Sequence, residues 1–335
     1  MLKQTLRTAF PALLGAAALA LSSVAGAEVQ LKASHQWPGG KGDLRDEMVQ
    51  MIARDINNAD LDMNIQVYPG KSLYKPKEQW NALVKGQLDM TAFPLAYAGG
   101  RHPEFNLTLM PGLVKNHEHA IRLNNSEFMQ RIKQVINDSG AMVLADTWLA
   151  GGFASKEKCV LNPQDVKGQQ FRAAGRAFNE MLAEAGASIA SMPSSEIYSA
   201  LQTGVLDAAN TSSASFVSYR IYEQVKCLTE PGDYALWFMY EPILMSKKSF
   251  DRLNEKQQKA ILDASKKAQK FAYEKAKEAD QKLVDTFKKA GVEVVKMNEE
   301  QFNAWRDIAQ KSSYANFVKN VKDGQELLDL ALSVE

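Results

Sequence analysis

The side chains able to do chemistry are few and scattered. His35, His102, His117 and His119 are the whole imidazole complement of the 335 residues. His117-Glu118-His119 sets two of them at i and i+2, a spacing that sends them apart on a helix and on a strand gives a pair without an evident third metal ligand. Ser155-Lys156-Glu157-Lys158 satisfies S-x-x-K, but that chemistry needs the serine to open a helix, and here it leads into the strand-like Cys159-Val160. The G-x-G-x-x-G, Walker, G-x-S-x-G and H-E-x-x-H patterns do not occur. The expectation is therefore a chain with no catalytic residues, no metal and no cofactor. A secreted metal- or Ser/Lys-dependent enzyme is the alternative.

What remains suits recognition. Arg172, inside "QQFRAAG", ends a predicted strand among apolar and small neighbours. Ligands of open α/β sheets bind in the crevice outside the carboxyl ends of strands. An arginine there is costly unless it meets an anion, and its planar fork suits a carboxylate; an internal acid would serve equally well as its partner. "NTSSASF" follows the next strand, and Asn210, Thr211 and Ser213 offer neutral hydrogen-bonding groups for ligand oxygens, or an ordinary turn and helix cap. Trp37, Tyr97, Trp148 and Trp237 fall at predicted strand ends, where they form either the aromatic wall of a cleft or plain core.

The elements that must position these residues come in two sets. "EQWNALVKGQLDMT" (78–91) and "EIYSALQTGVLDAA" (196–209) share six of twelve positions. Each reads as a helix that stops at a glycine, Gly86 or Gly204, and feeds a strand beginning Leu-Asp. β-type alternation in "VQLKASH", helical spacing of Leu44, Met48, Met51, Ile52 and Ile56 behind Asp43, and the strand "MNIQVYPG" complete a β-α-β-α-β order around the first copy. The same grammar surrounds the second. This predicts an α/β fold of two lobes, each with a sheet covered by helices. Gly151-Gly152 and the loop 162–168 read as passages between lobes, and residues 234–246 as one long strand. Apolar positions recur at three or four residues from Asn254 to Ala290, enough for a helix across both lobes or for two helices joined by a kink.

Residues 1–27 read as a secretory signal: Lys3 and Arg7 precede an apolar run, and Ala25-Gly26-Ala27 forms an A-x-A site. Removing it takes two basic residues from 40 and leaves 38 against 39 acidic ones. That balance leaves no electrostatic footprint for nucleic acid. Two cysteines in an oxidising compartment, Cys159 and Cys227, suggest a disulfide, with two buried thiols as the alternative.

The stretch "NPQDVKGQQFRAAGRAFNEMLAEAGASIASMPSSEIYSALQTGVLDAA" (162–209) resembles the DctP-type substrate-binding proteins of tripartite ATP-independent periplasmic (TRAP) transporters. These read P-x-D-[LM]-K-G-x-K-[IL]-R, then M-P-x-x-E-[VI]-Y-x-A-L-Q-T-G-x-[VL]-D-G. The resemblance implies a two-lobed periplasmic binding protein-like fold with mixed sheets, crossing strands and a spanning helix. Lobe I is expected from 28–148 and 238–277, lobe II from 149–237 and 278–335. It also implies a periplasmic monomer that closes on a small organic acid held by Arg172 and delivers it to the membrane subunits of the transporter. A ligand-sensing subunit of a receptor would share the same pocket. Two departures bear on the substrate: Ser194 stands where many members carry an aromatic, and Gly151-Gly152 where the sialic-acid branch carries a second arginine. They count against sialic acid; one dominant arginine and many aromatic candidates favour a small monocarboxylate, aromatic or hydroxylated, over a dicarboxylate.

Overall fold

The structure is a computed structural model that describes residues 28–335; the expected signal, 1–27, lies outside the described residues. The strands are β1 (Val29–Ser34), β2 (Met63–Tyr68), β3 (Met90–Ala92), β4 (Ala141–Ala145), β5 (Trp148–Ser155), β6 (Gln170–Ala173), β7 (Ser188–Ser191), β8 (Ala208–Ser212), β9 (Cys227–Thr229), β10 (Trp237–Tyr240), β11 (Ile243–Ser246) and β12 (Glu293–Val295). They form two sheets. The first runs β2-β1-β3-β11-β4, and the second β12-β9-β5-β8-β6-β7 with β10 also paired to β5. Both are mixed: β1 lies parallel to β2 and β3 while β11 is antiparallel to β3 and β4, and β6 lies parallel to β7 and β8 while β5 is antiparallel to β8.

The repeated phrase builds the same joint in each sheet. In the first copy the helix Gln79–Val84 ends at Gly86, φ +74°, and leads into β3. In the second, Ile197–Gln202 ends at Gly204, φ +76°, and leads into β8. A left-handed residue closes a helix at little cost only when it lacks Cβ. The shared aspartate plays the same part in both copies, since Asp89 Oδ2 accepts the Lys32 N–H of β1 (2.7 Å) and Asp207 Oδ2 accepts the Gln170 N–H of β6 (2.8 Å). Each carboxylate thus satisfies a strand donor that the short ladder leaves free.

A single helix, Glu255–Lys289, opens with a capping box between Asn254 and Gln257 and runs 35 residues, roughly 50 Å. Ile261, Ala264, Ala268, Ala272 and Ala276 pack with the core of the first sheet, and Leu283 and Phe287 with that of the second. It is the spanning helix, without the kink held open as the alternative. No helix among the described residues is long and apolar enough to cross a membrane.

Three expectations change. Residues 234–246 form two strands in different sheets, β10 and β11, because Pro242 offers no N–H to a ladder and Glu241-Pro242 carries the chain across. The crossing is tied to its neighbour, the Asp146-Thr147 step between β4 and β5, by the Glu241 N–H on the Thr147 carbonyl (2.8 Å). Gly151 and Gly152 form no linker. They lie within β5, where a Cβ on Gly151 would stand 2.0 Å from the Thr211 carbonyl oxygen and on Gly152 2.0 Å from that of Thr229. The C-terminal helix Gly324–Leu332 packs with Phe128 and Ile132 beside the first sheet, away from the lobe expected for 278–335. Cys159 and Cys227 are joined, Cα atoms 5.2 Å apart, across 68 residues.

Candidate functional site

Arg172 lies on β6 between β7 and β8, one residue from the strand's carboxyl end, and is fully buried. Its Nε donates to the Met192 carbonyl (2.9 Å), Nη1 to the Asn210 carbonyl (2.6 Å) and Nη2 to Tyr97 Oη (3.0 Å). Those three bonds use three of the five guanidinium N–H groups and leave one on each terminal nitrogen. No carboxylate among the described residues pairs with it. An arginine so enclosed has lost its water and has not regained a counter-charge by direct contact, a costly state unless an anion completes it.

Tyr97 comes from the first lobe. Its Oη accepts both from Arg172 and from the Ser194 N–H (3.0 Å), so its own O–H is free to donate. Asn210 Oδ1 accepts from the Ala174 N–H (3.3 Å), while its Nδ2 is buried with no partner. Thr211, also buried, makes no side-chain hydrogen bond among the described residues. Trp237 lies against Gly151 beside the Thr211 carbonyl, and its Nε1 is another buried donor without a partner. Gln36, which follows β1 and receives Tyr219 Oη on its carbonyl (2.8 Å), has both side-chain polar atoms unpartnered. Buried polar atoms are nearly always satisfied. An unpartnered donor such as Asn210 Nδ2, next to the carbonyl that holds Arg172, is what a site built to hold polar ligand atoms leaves behind.

Beside this group stands a second buried arginine that the sequence reading passes over. Arg45, in the first turn of the helix Leu44–Asn57, gives Nε and Nη2 to Asp43 (2.8 and 2.7 Å) and Nη1 to Glu241 Oε2 (2.6 Å). It also reaches the second lobe at Ser212 Oγ (2.9 Å) and Ser215 Oγ (3.0 Å). Burial alone would raise the Asp43 carboxyl, but the charge and hydrogen bonds of Arg45 outweigh it and hold that group below its ordinary value. Burial prevails at Glu241, which lies above its own. The seam is further closed by Trp37 Nε1 on Ser215 Oγ (3.3 Å), with the Trp37 ring under Arg45 at 4.0 Å.

Trp37 therefore belongs to this seam. Trp148 is held by Asn124 Oδ1 (2.8 Å) and packs on Tyr240, and Ser213 donates to Asp280 Oδ1 on the spanning helix (2.5 Å). Neither contacts Arg172 or its partners. Arg172, Tyr97 and Asn210 come together through the Tyr97 hydroxyl and the Asn210 carbonyl; Thr211 follows Asn210 on β8, Trp237 packs in the core with Phe171 and Ala173, and Trp148 and Ser213 are held by Asn124 and Asp280. Asp43, Arg45 and Glu241 left two signals in the sequence, an acid-and-base pair at a helix start and an acid before a proline. Gln36 had a clearer one, its place at the end of a strand. Of the histidine pair, His117 bonds Asp280 (2.7 Å) and His119 Nδ1 accepts the Lys115 N–H (3.0 Å), so the two serve different contacts. The cluster of potential metal ligands among the described residues, Cys159, Cys227 and Glu293, has its sulfurs in the disulfide.

Two α/β lobes, paired crossings and a polar seam describe a binding protein that encloses its ligand between lobes. The model of bacterial extracellular solute-binding protein family 7, DctP, matches residues 40–320, and the chain belongs to that family. A solute-binding protein of Albidiferax ferrireducens is 40% identical over 305 residues, 90% of each chain. The crystal structure of a TRAP periplasmic solute-binding protein from Rhodoferax ferrireducens with bound malonate superposes with a TM-score of 0.87 at 39% identity, covering 91% of this chain and 98% of that one. DctP7 of Bordetella pertussis, a receptor binding pyroglutamic acid, shares the fold with a TM-score of 0.80 at 22% identity, covering 90% and 99%. The chain is thus an extracytoplasmic solute-binding protein of TRAP type and not an enzyme.

Proposed function

We propose that this protein is secreted by its first 27 residues to the periplasm, acts there as a monomer without nucleic-acid partners, and captures a small organic acid for the membrane subunits of a TRAP transporter. Arg172 anchors the ligand carboxylate through the N–H groups it keeps free on Nη1 and Nη2. Tyr97 adds its O–H, Asn210 its Nδ2 amide and Thr211 its hydroxyl, while Trp237 walls the apolar part of the ligand. Closure excludes water, which strengthens the ion pair in the low dielectric between the lobes, and the difference in affinity between open and closed forms drives the closing. One observation carries this reading: a fully buried guanidinium with spare donors and no carboxylate of its own chain bonded to it. The malonate and pyroglutamate named for the relatives are acids of the same size class.

A thermal-shift screen of small carboxylates tests it. A ligand that binds only the folded protein raises the apparent melting temperature. At least one acid should shift the wild type and leave Arg172→Ala unmoved; equal shifts in both would remove Arg172 from the site.

A further inference from the structure

We infer that the cavity between residues 71–78 and 191–196 is the mouth of the site and collects its ligand: Lys71, Lys75 and Lys77 draw a small anion in from solvent and pass it inward to Arg172. The inference rests on the reading of Arg172 as the carboxylate anchor.

The cavity has a volume of about 440 Å³, with the three lysines and Glu78 on its first-lobe side and Met192 and Glu196 on its second-lobe side. Its inner wall is the segment that holds the anchor. Met192 gives its carbonyl to Arg172 Nε (2.9 Å), and two residues on the Ser194 N–H donates to Tyr97 Oη (3.0 Å), the same hydroxyl oxygen that accepts from Arg172 Nη2 (3.0 Å). One residue thus both faces the cavity and touches the guanidinium. The opposite rim is fixed as well: the turn that leaves β2 donates its Gly70 and Lys71 N–H groups to the Trp37 (2.8 Å) and His35 (2.9 Å) carbonyls, just past β1.

Lys71, Lys75 and Lys77 are exposed and form no ion pair among the described residues; the Lys77 ammonium instead reaches the second lobe at the Ser191 carbonyl (3.4 Å). Two acids share the rim, Glu78 and Glu196, and neither pairs with a lysine: Glu78 Oε2 takes only the Lys75 backbone N–H (3.3 Å). Three ammoniums against two carboxylates leave the mouth positive. Residues 28–335 carry 38 basic against 39 acidic side chains, so the molecule as a whole does not attract an anion and the pull must be local. Exposed ammoniums stay hydrated and hold a carboxylate loosely, whereas the buried Arg172 has given up its water. A weak collecting group beside a strong anchor lets the ligand move inward.

Stopped-flow tryptophan fluorescence, with malonate and pyroglutamate as probes, tests this. In the wild type the association rate constant falls as salt is raised, more steeply for the doubly charged malonate. The triple variant Lys71→Gln, Lys75→Gln, Lys77→Gln lowers that constant roughly fivefold or more at low salt and keeps the dissociation rate within about twofold. It matches the wild type at about 1 M salt, where the screening length is about 3 Å. Glu78→Gln with Glu196→Gln changes the same rim in the opposite sense and speeds association. Unchanged association in the lysine variant, a loss that appears only as faster dissociation, or no binding of either probe by the wild type overturns the inference. Arg172→Ala separates the two claims: if it binds like the wild type the anchor itself is wrong, and if it loses both probes while the lysine variant keeps the wild-type rate and salt dependence, only the role of the mouth falls.

Discussion

Ser215→Ala should weaken ligand binding far more than it weakens the fold. Ser215 Oγ accepts from Arg45 Nη2 (3.0 Å) and from Trp37 Nε1 (3.3 Å), both on the first lobe. When the lobes separate, water can take over both donors, so the hydroxyl stabilises closure specifically. A hydrogen bond from a charged donor contributes about 1.5–3 kcal/mol and a neutral one about 0.5–1.5 kcal/mol. Their loss moves the opening equilibrium by about 2–4 kcal/mol. At about 1.4 kcal/mol per tenfold, affinity falls roughly 30- to several-hundred-fold, because ligand must then do the work of closing a less favoured state. Titration calorimetry with the acid that shifts the wild type gives the affinity, and the melting temperature of the ligand-free variant gives the cost to the fold. Binding within threefold of wild type would show that this seam does not couple to the ligand. A drop in ligand-free stability as large as the drop in binding would show that the contact belongs to the resting fold.

Replacing Cys159 and Cys227 by serine should destabilise the protein by up to about 4 kcal/mol on the chain-entropy account of a bridge spanning 68 residues, read from urea denaturation. Gly152→Ala should cost about 3 kcal/mol or more or prevent folding, since its Cβ meets the Thr229 carbonyl oxygen at 2.0 Å and that atom belongs to the paired strand; circular dichroism and solubility report it. Asp207→Ala should cost no more than about 1 kcal/mol, since the bond it makes to the Gln170 N–H is exposed and water can replace it, measured by the same denaturation. Glu241→Gln should gain on the wild type as pH rises: a carboxyl held above its ordinary 4.5 binds its proton more tightly when folded, so the wild type loses stability between that value and the folded one, a loss the amide does not share. Melting temperatures of both proteins across that window check the sign.

Much of the scaffold is legible in the sequence because its signals are local. The Asp43 cap, the Asn254 capping box and the glycines at 86 and 204 act within a few residues, and periodicity alone predicts the spanning helix. What the sequence conceals is the outcome of long-range pairing. Alternation from Tyr234 to Ser246 reads as one strand, and only the partners, β5 for one half and β3 and β4 for the other, decide that the sheets divide it at Glu241-Pro242. The site divides along the same line. Arg172 is visible because a charged residue interrupts an apolar strand. Trp148 and Ser213 carry the right chemistry but are claimed by Asn124 and Asp280, partners 24 and 67 residues away. Arg45 looks like an ordinary residue of an exposed first turn, until the second lobe covers it.

The duplicated helix-glycine-strand unit accounts for where the ligand chemistry collects. In each lobe the unit delivers a strand alongside another in parallel, β3 beside β1 and β8 beside β6, so that in each sheet two carboxyl ends point the same way. From those ends come Gln36 after β1, Arg172 on β6, and Asn210 and Thr211 on β8. Strands with opposed directions would send half of these groups to the far edge. The crossings join the lobes, and Glu241, belonging to a crossing and to neither repeat, accepts from Arg45, whose remaining N–H groups reach Asp43 and, in the second lobe, Ser212 and Ser215.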